Sequence, residues 1–120
     1  MDRRALQAWV ELYERAWRSP GTELLAELFA NDAEYTTSPF ADPKRGLAAI
    51  GELWEAEREG PDEPFTFASE ILAVDGDLGV VQTEVFYERT QRGFRNLWLV
   101  RLAGDGRCTS FEEWFWEAPS

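Results

Sequence analysis

The chain has 120 residues, a length that suits one domain spanning 1–120 and leaves no room for a second. Its formal net charge of -11, spread along the chain, repels phosphate backbones, so nucleic acid and anionic membranes are poor partners. Histidine is absent and Cys108 is the only cysteine, which excludes Ser-His-Asp and Cys-His nucleophiles, His-ligated metals and an internal disulfide. The lone thiol fits a reducing cytoplasm, and the start, Met1 to Trp9, carries charges without the apolar run of a signal peptide or membrane span. Hydrophobic residues make up 44%, with six Trp and eight Phe, so a real core is affordable and disorder is not expected. The aromatic share of 14% exceeds what a core of this size needs, which points to a lined cavity or an interface.

The first segment predicts a helix. Leu6, Trp9, Val10, Tyr13, Ala16 and Trp17 recur at three- and four-residue spacing, and Ser19-Pro20-Gly21 stops them. Leu24, Leu25, Leu28 and Phe29 predict a short second helix ended by Asn31-Asp32, followed by a short strand from Ala33 to Thr37. Ser38 to Gly46 reads as a loop from its Pro and Gly content. Leu47 to about Glu57 predicts a third helix with Leu47, Ile50, Leu53 and Trp54 on one face, broken by Gly60-Pro61-Asp62-Glu63-Pro64.

Everything after this reads as sheet. Phe65 to Val74, Leu78 to Arg89, Phe94 to Leu102 and Arg107 to Trp116 predict four strands, with turns at Asp75-Gly76, Thr90 to Gly93 and Ala103 to Gly106. Helices first and a strand meander after is an α+β order, with the helices packed in the concave face of a curved, mostly antiparallel sheet. Placing Arg89 opposite Phe94 sets Tyr87 against Asn96 and Glu88 against Arg95; placing Leu102 opposite Arg107 sets Trp98 against Phe111 and Asn96 against Glu113. One face then gathers Val81, Thr83, Val85, Tyr87, Phe94, Asn96, Trp98, Val100, Phe111, Glu113 and Phe115, and should meet the helices. The other gathers Phe86, Glu88, Arg95, Leu97, Leu99, Arg101, Glu112, Trp114 and Trp116, too apolar for plain solvent, and predicts the seam of a homodimer.

The order of elements and several motifs resemble the nuclear transport factor 2-like superfamily, in its SnoaL-like branch. The residues carrying the resemblance are Leu28-Phe29-Ala30-Asn31-Asp32-Ala33-Glu34-Tyr35, Ser38-Pro39-Phe40, Gly46 and Ile50. At the other end they are Phe94 to Arg101, Asp105-Gly106-Arg107 and Phe111 to Phe115. The resemblance implies a cystatin-like cone with an internal pocket and sheet-to-sheet dimers. Ketosteroid isomerases on this fold use an aspartate base and two oxyanion donors. Aligning Phe29 to Ala33 without gaps puts Tyr13 at the oxyanion tyrosine, Thr37 at the base position and Trp98 at the second donor. Thr and Trp supply neither a base nor a carboxylic acid. The His and Asp of polyketide cyclases are not reproduced either, because this chain has no His.

The remaining inward polar groups are Tyr13, Thr37, Asn96 and Glu113. Glu113, directed among Trp98, Phe111 and Phe115, is the candidate acid or base, with Tyr13 as its partner; the alternative is a structural hydrogen bond from Glu113 to Asn96 or Tyr13. Tyr35, Phe40, Trp54 and Trp98, joined by Thr37, Asn96 and Phe111, are the candidate ligand-binding residues, with ordinary core as the alternative for the aromatics. No cofactor and no metal site is called for, since the turn aspartates lack calcium-loop spacing and the glycines form no phosphate loop. Three functions stay open. The chain binds a small apolar molecule, or it is an isomerase, cyclase or hydrolase using Glu113 and Tyr13, or its outer sheet face recruits another protein.

Overall fold

The computed structural model describes residues 1–58 and 63–119. Helix α1 runs Arg3–Arg18, α2 Leu25–Leu28 and α3 Leu47–Glu57. The strands are β1 Phe29–Thr36, β2 Lys44–Arg45, β3 Phe65–Asp75, β4 Leu78–Tyr87, β5 Arg92–Leu102 and β6 Cys108–Glu117. They form one six-stranded sheet in the order β2-β1-β6-β5-β4-β3, with β1 parallel to β6 and the other pairs antiparallel. The fold is α+β, as the element order predicts.

Asp2 starts α1 as its N-cap, its carboxylate accepting from the Ala5 N–H at 2.8 Å. The apolar stripe Leu6, Trp9, Val10, Tyr13 and Ala16 is buried against the sheet. The helix lies close at Gly79 of β4, where an added Cβ would stand 2.4 Å from a Leu6 methyl. Arg58, just past α3, donates to the carbonyls of Ser19 at 2.7 Å and Gly21 at 2.8 Å, satisfying chain that leaves α1.

Four sequence expectations are corrected. The second helix is a single turn, and Phe29, Asn31 and Asp32 belong to β1, because Phe29 pairs with Cys108 on β6 and tertiary pairing overrides a weak helix signal. The predicted loop over 38–46 contains the two-residue strand β2, paired to Glu34 and Tyr35. The β4–β5 turn occupies 88–91, two residues earlier than predicted, with Gln91 in the left-handed region at φ 57° and its side-chain amide donating to the Glu88 carbonyl. Tyr87 therefore opposes Arg92, Thr83 opposes Asn96 and Arg95 opposes Glu84, not Glu88. On β6 a register break between Arg101 and Leu102 leaves Thr109 without an opposite residue, so Trp98 opposes Glu113 and Val100 opposes Phe111. The break also turns Cys108 inward, fully buried, although alternation from Phe111 would point it out. Gly60-Pro61-Asp62, part of the predicted break after α3, lies outside the described residues.

Both register errors shift the pairing by an even number of residues, so the two faces keep their predicted membership apart from Glu88, which lies in the turn. The inner face and the helices enclose a core of Leu6, Trp9, Val10, Leu28, Phe29, Ile50, Val81, Val100 and Phe111. On the outer face Phe86, Trp114 and Trp116 are 37%, 38% and 55% exposed.

Candidate functional site

Along α1 the stripe passes from Leu6 and Trp9, sealed in the core, to Tyr13, Glu14 and Trp17, which border a cavity of about 420 Å³. The strands make the same passage: Val81 to Tyr87 on β4, Val100 to Phe94 on β5, and Phe111 to Phe115 on β6. Helix α3 adds Leu53, Trp54 and Glu57 to the wall, and β3 adds Phe65 and Phe67.

Phe111 is the base on which this region is stacked. Its ring lies 4.6 Å from that of Tyr35 and 5.5 Å from that of Tyr13, nearly parallel to both. The two phenols meet at 2.8 Å between hydroxyl oxygens. One hydroxyl donates to the other, which leaves the second proton free to donate outward. The Trp98 ring packs 4.4 Å from Tyr13, and its indole N–H donates to Glu113 Oε2 at 2.9 Å. Two residues beyond Phe111 on the same face of β6, Glu113 thus shares the cavity with the phenol pair.

The electrostatics follow from this enclosure. Burial raises the Glu113 carboxyl above the ordinary carboxylate range, opposed by the Trp98 hydrogen bond and reinforced by the charge of Glu57. Glu113 is half-buried: it is shielded from bulk water yet open to the cavity. Tyr13 and Tyr35 are raised well above the ordinary phenol value, first by burial, with the charge of Glu113 acting in the same direction. They therefore stay protonated and available as donors. The Trp54 indole N–H, which forms no well-shaped hydrogen bond, leans on the Tyr35 hydroxyl and offsets part of that rise. Tyr87 is pushed up to about 12 by burial and by the charges of Glu63 and Glu113.

Tyr13, Tyr35, Thr37, Trp54, Asn96, Trp98 and Glu113, all singled out from sequence, surround this one cavity. Two others do not border it. Phe40 is 97% exposed, because the turn after β1 carries it away from the sheet. Phe111 is fully buried beneath the tyrosines, so it supports the wall without forming it. Glu113 takes its hydrogen bond from Trp98, not from Asn96 or Tyr13, since the β6 register sets Trp98 opposite it. Sequence reasoning did not single out Tyr87, Phe67 or Glu57. Alternation along β4 already put Tyr87 on the inner face; Glu57 follows only from where α3 ends. Cys108 is fully buried, and burial pushes its thiol up to about 12. Among the described residues no group of three or more acidic or cysteine side chains is placed to hold a metal ion. No helix among them is long and apolar enough to cross a membrane.

The SnoaL-like domain profile matches residues 9–111. Solved structures with the same fold include a proposed ketosteroid isomerase from Kribbella flavida, 19% identical, with a TM-score of 0.70 over 98% of this chain and 79% of that one. A proposed polyketide cyclase from Sinorhizobium meliloti is 25% identical, with a TM-score of 0.67 over 89% of this chain and 94% of that one. An NTF-2-like protein of unknown function from Burkholderia xenovorans is 14% identical, with a TM-score of 0.71 over 98% and 89%. Comparison with proteins of curated function finds no match.

Proposed function

We propose that this chain, which belongs to the SnoaL-like domain family, holds a small, largely apolar organic molecule in its cavity and moves a proton on it, in the manner of an isomerase. The observation that carries the reading is the Trp98–Glu113 hydrogen bond at 2.9 Å, which fixes a carboxyl of raised pKa in the same aromatic cavity as a protonated phenol pair. In its ionised form Glu113 takes a proton from the carbon that lies between a carbonyl and a carbon–carbon double bond. The outward hydroxyl of the Tyr13–Tyr35 pair donates to the carbonyl oxygen as it gains charge. The protonated Glu113 then returns the proton to a different carbon, and the double bond has moved with no net change in atoms. Neighbours that bear isomerase and cyclase names support the class of chemistry, while the catalytic set here is this chain's own.

The test uses small cyclic ketones in D2O, with deuterium uptake at the α-carbon followed by NMR. The wild-type protein accelerates exchange, Glu113→Gln loses that acceleration by about 100-fold, and Tyr13→Phe by about tenfold. Exchange by Glu113→Gln at the wild-type rate removes Glu113 from the chemistry, and no acceleration by the wild type leaves a binding protein.

A second reading concerns the outer face, where Phe86, Trp114 and Trp116 stand exposed beside the Arg95–Glu84 pair at 3.0 Å. This face fits a second copy of the chain across a two-fold axis, since it offers apolar area together with both signs of charge. A dimer by analytical ultracentrifugation that becomes a monomer in Trp116→Glu is the expected result; a monomeric wild type at micromolar concentration ends this reading.

A further inference from the structure

The charged side chains of the cavity are unbalanced toward negative. Among the described residues its wall carries the carboxylates of Glu14, Glu57, Glu63 and Glu113 and one basic side chain, Arg92. Arg92 is already engaged by Glu117 through two hydrogen bonds, at 2.9 and 2.7 Å. Glu14 is neutralised by Arg18 at 2.9 Å. Arg58, next after Glu57, is paired with Glu55 and occupied by backbone carbonyls. Arg18, Arg58 and Arg92 are thus each matched by a glutamate. Glu57 and Glu113 face the cavity with no lysine or arginine against them among the described residues.

Three independent features turn this surplus into a specificity. The walls are aromatic, with Trp17, Trp54, Trp98, Tyr13, Tyr35 and Tyr87 contributing rings whose faces are negative. Asn96, only 7% exposed and bordering the cavity, holds an acceptor oxygen with no donor. Glu57 is the last residue of α3, where the helix dipole already opposes a negative charge, so its local placement is unfavourable for the helix. Rings of this wall already hold cations: the Arg58 guanidinium lies 5.7 Å from Trp17 and 5.8 Å from Trp54, and that of Arg18 lies 3.9 Å from Phe65.

Resting on the reading of the cavity as a small-molecule site, we infer that its ligand is an organic cation. The fitting class is a protonated or quaternary amine on an apolar body, with the charge held at the mouth by Glu57 against the Trp and Tyr faces and the apolar part seated toward Trp98. Carboxylic acids and phosphate esters are excluded by the same charges.

The probes are benzyltrimethylammonium, its neutral carbon isostere neopentylbenzene, and phenylacetate, followed by tryptophan fluorescence and ligand-observed NMR. The cation is expected to bind about tenfold tighter than the neutral isostere and phenylacetate not at all. Glu57→Gln should remove about that tenfold preference while leaving neopentylbenzene within about twofold of wild type. Equal binding of cation and isostere overturns the charge class and leaves the small-molecule reading standing. An undiminished preference in Glu57→Gln overturns the role of Glu57. No binding of any of the three overturns both readings.

Discussion

The two halves of the inner face are built from the same residue types and do different things with them. At the sealed half Trp9 packs edge-on against Phe29 at 5.9 Å and its N–H donates to the Leu28 carbonyl at 2.9 Å. There the polar handle of the ring is met by backbone, and the surroundings are Leu6, Val10, Val81 and Val100. At the cavity half Trp98 packs on Tyr13, but its N–H is spent on a carboxylate, and the hydroxyls and the carboxyl around it face open space. In one half the polar handles of the aromatic rings answer to the main chain, and in the other they answer to each other.

That comparison can be broken in order of expected size. Phe111→Ala removes the ring shared by both halves and should cost about 3–5 kcal/mol of stability in urea unfolding. A loss below about 1 kcal/mol would mean the region is loosely packed. Gly79→Ala tests the sealed half alone. Its new methyl must displace Leu6, and about 1–3 kcal/mol of destabilisation is expected, with the cavity chemistry unaffected. Trp98→Phe tests the cavity half: it keeps most of the ring and deletes the donor to Glu113. Stability should fall by about 1–2 kcal/mol, and the Glu113 carboxyl, followed by NMR, should titrate higher still, because the hydrogen bond that opposed burial is gone.

Glu113→Gln sharpens the same point through pH. A carboxyl whose folded pKa is raised favours the folded state while protonated. That contribution is present below the unfolded carboxylate pKa and is lost as pH rises through the folded one. The glutamine variant, which still accepts from Trp98, should therefore match wild type in acid and melt about 2–4 °C higher at pH 8. A difference independent of pH would show that Glu113 titrates as an ordinary surface acid. Smallest of all, Phe40→Ala should change stability by less than about 0.5 kcal/mol, as its exposed ring supports neither half.

Much of the molecule is written in the chain. Three- and four-residue spacing names the buried face of α1, the span of α3 matches its apolar pattern, and strand alternation sorts β4 to β6 into an inner and an outer face. Because side chains alternate with a period of two, the even shifts of register left Glu113, Trp98, Asn96 and Tyr87 inward even though their partners changed. Local pattern is thus sufficient to turn these strand residues of the cavity to one face, but it did not place Phe40, Phe111 or Glu57. Tertiary structure alone decided which atoms meet. The unpaired Thr109 turns Cys108 into the core and brings Glu113 opposite Trp98, the reach of Tyr13 to Tyr35 joins residues from α1 and β1, and the end of α3 places Glu57 at the mouth. The physical reason is that side-chain facing is set by the local backbone period, whereas pairing depends on turns and bulges. Those are fixed by the packing of elements far apart in sequence.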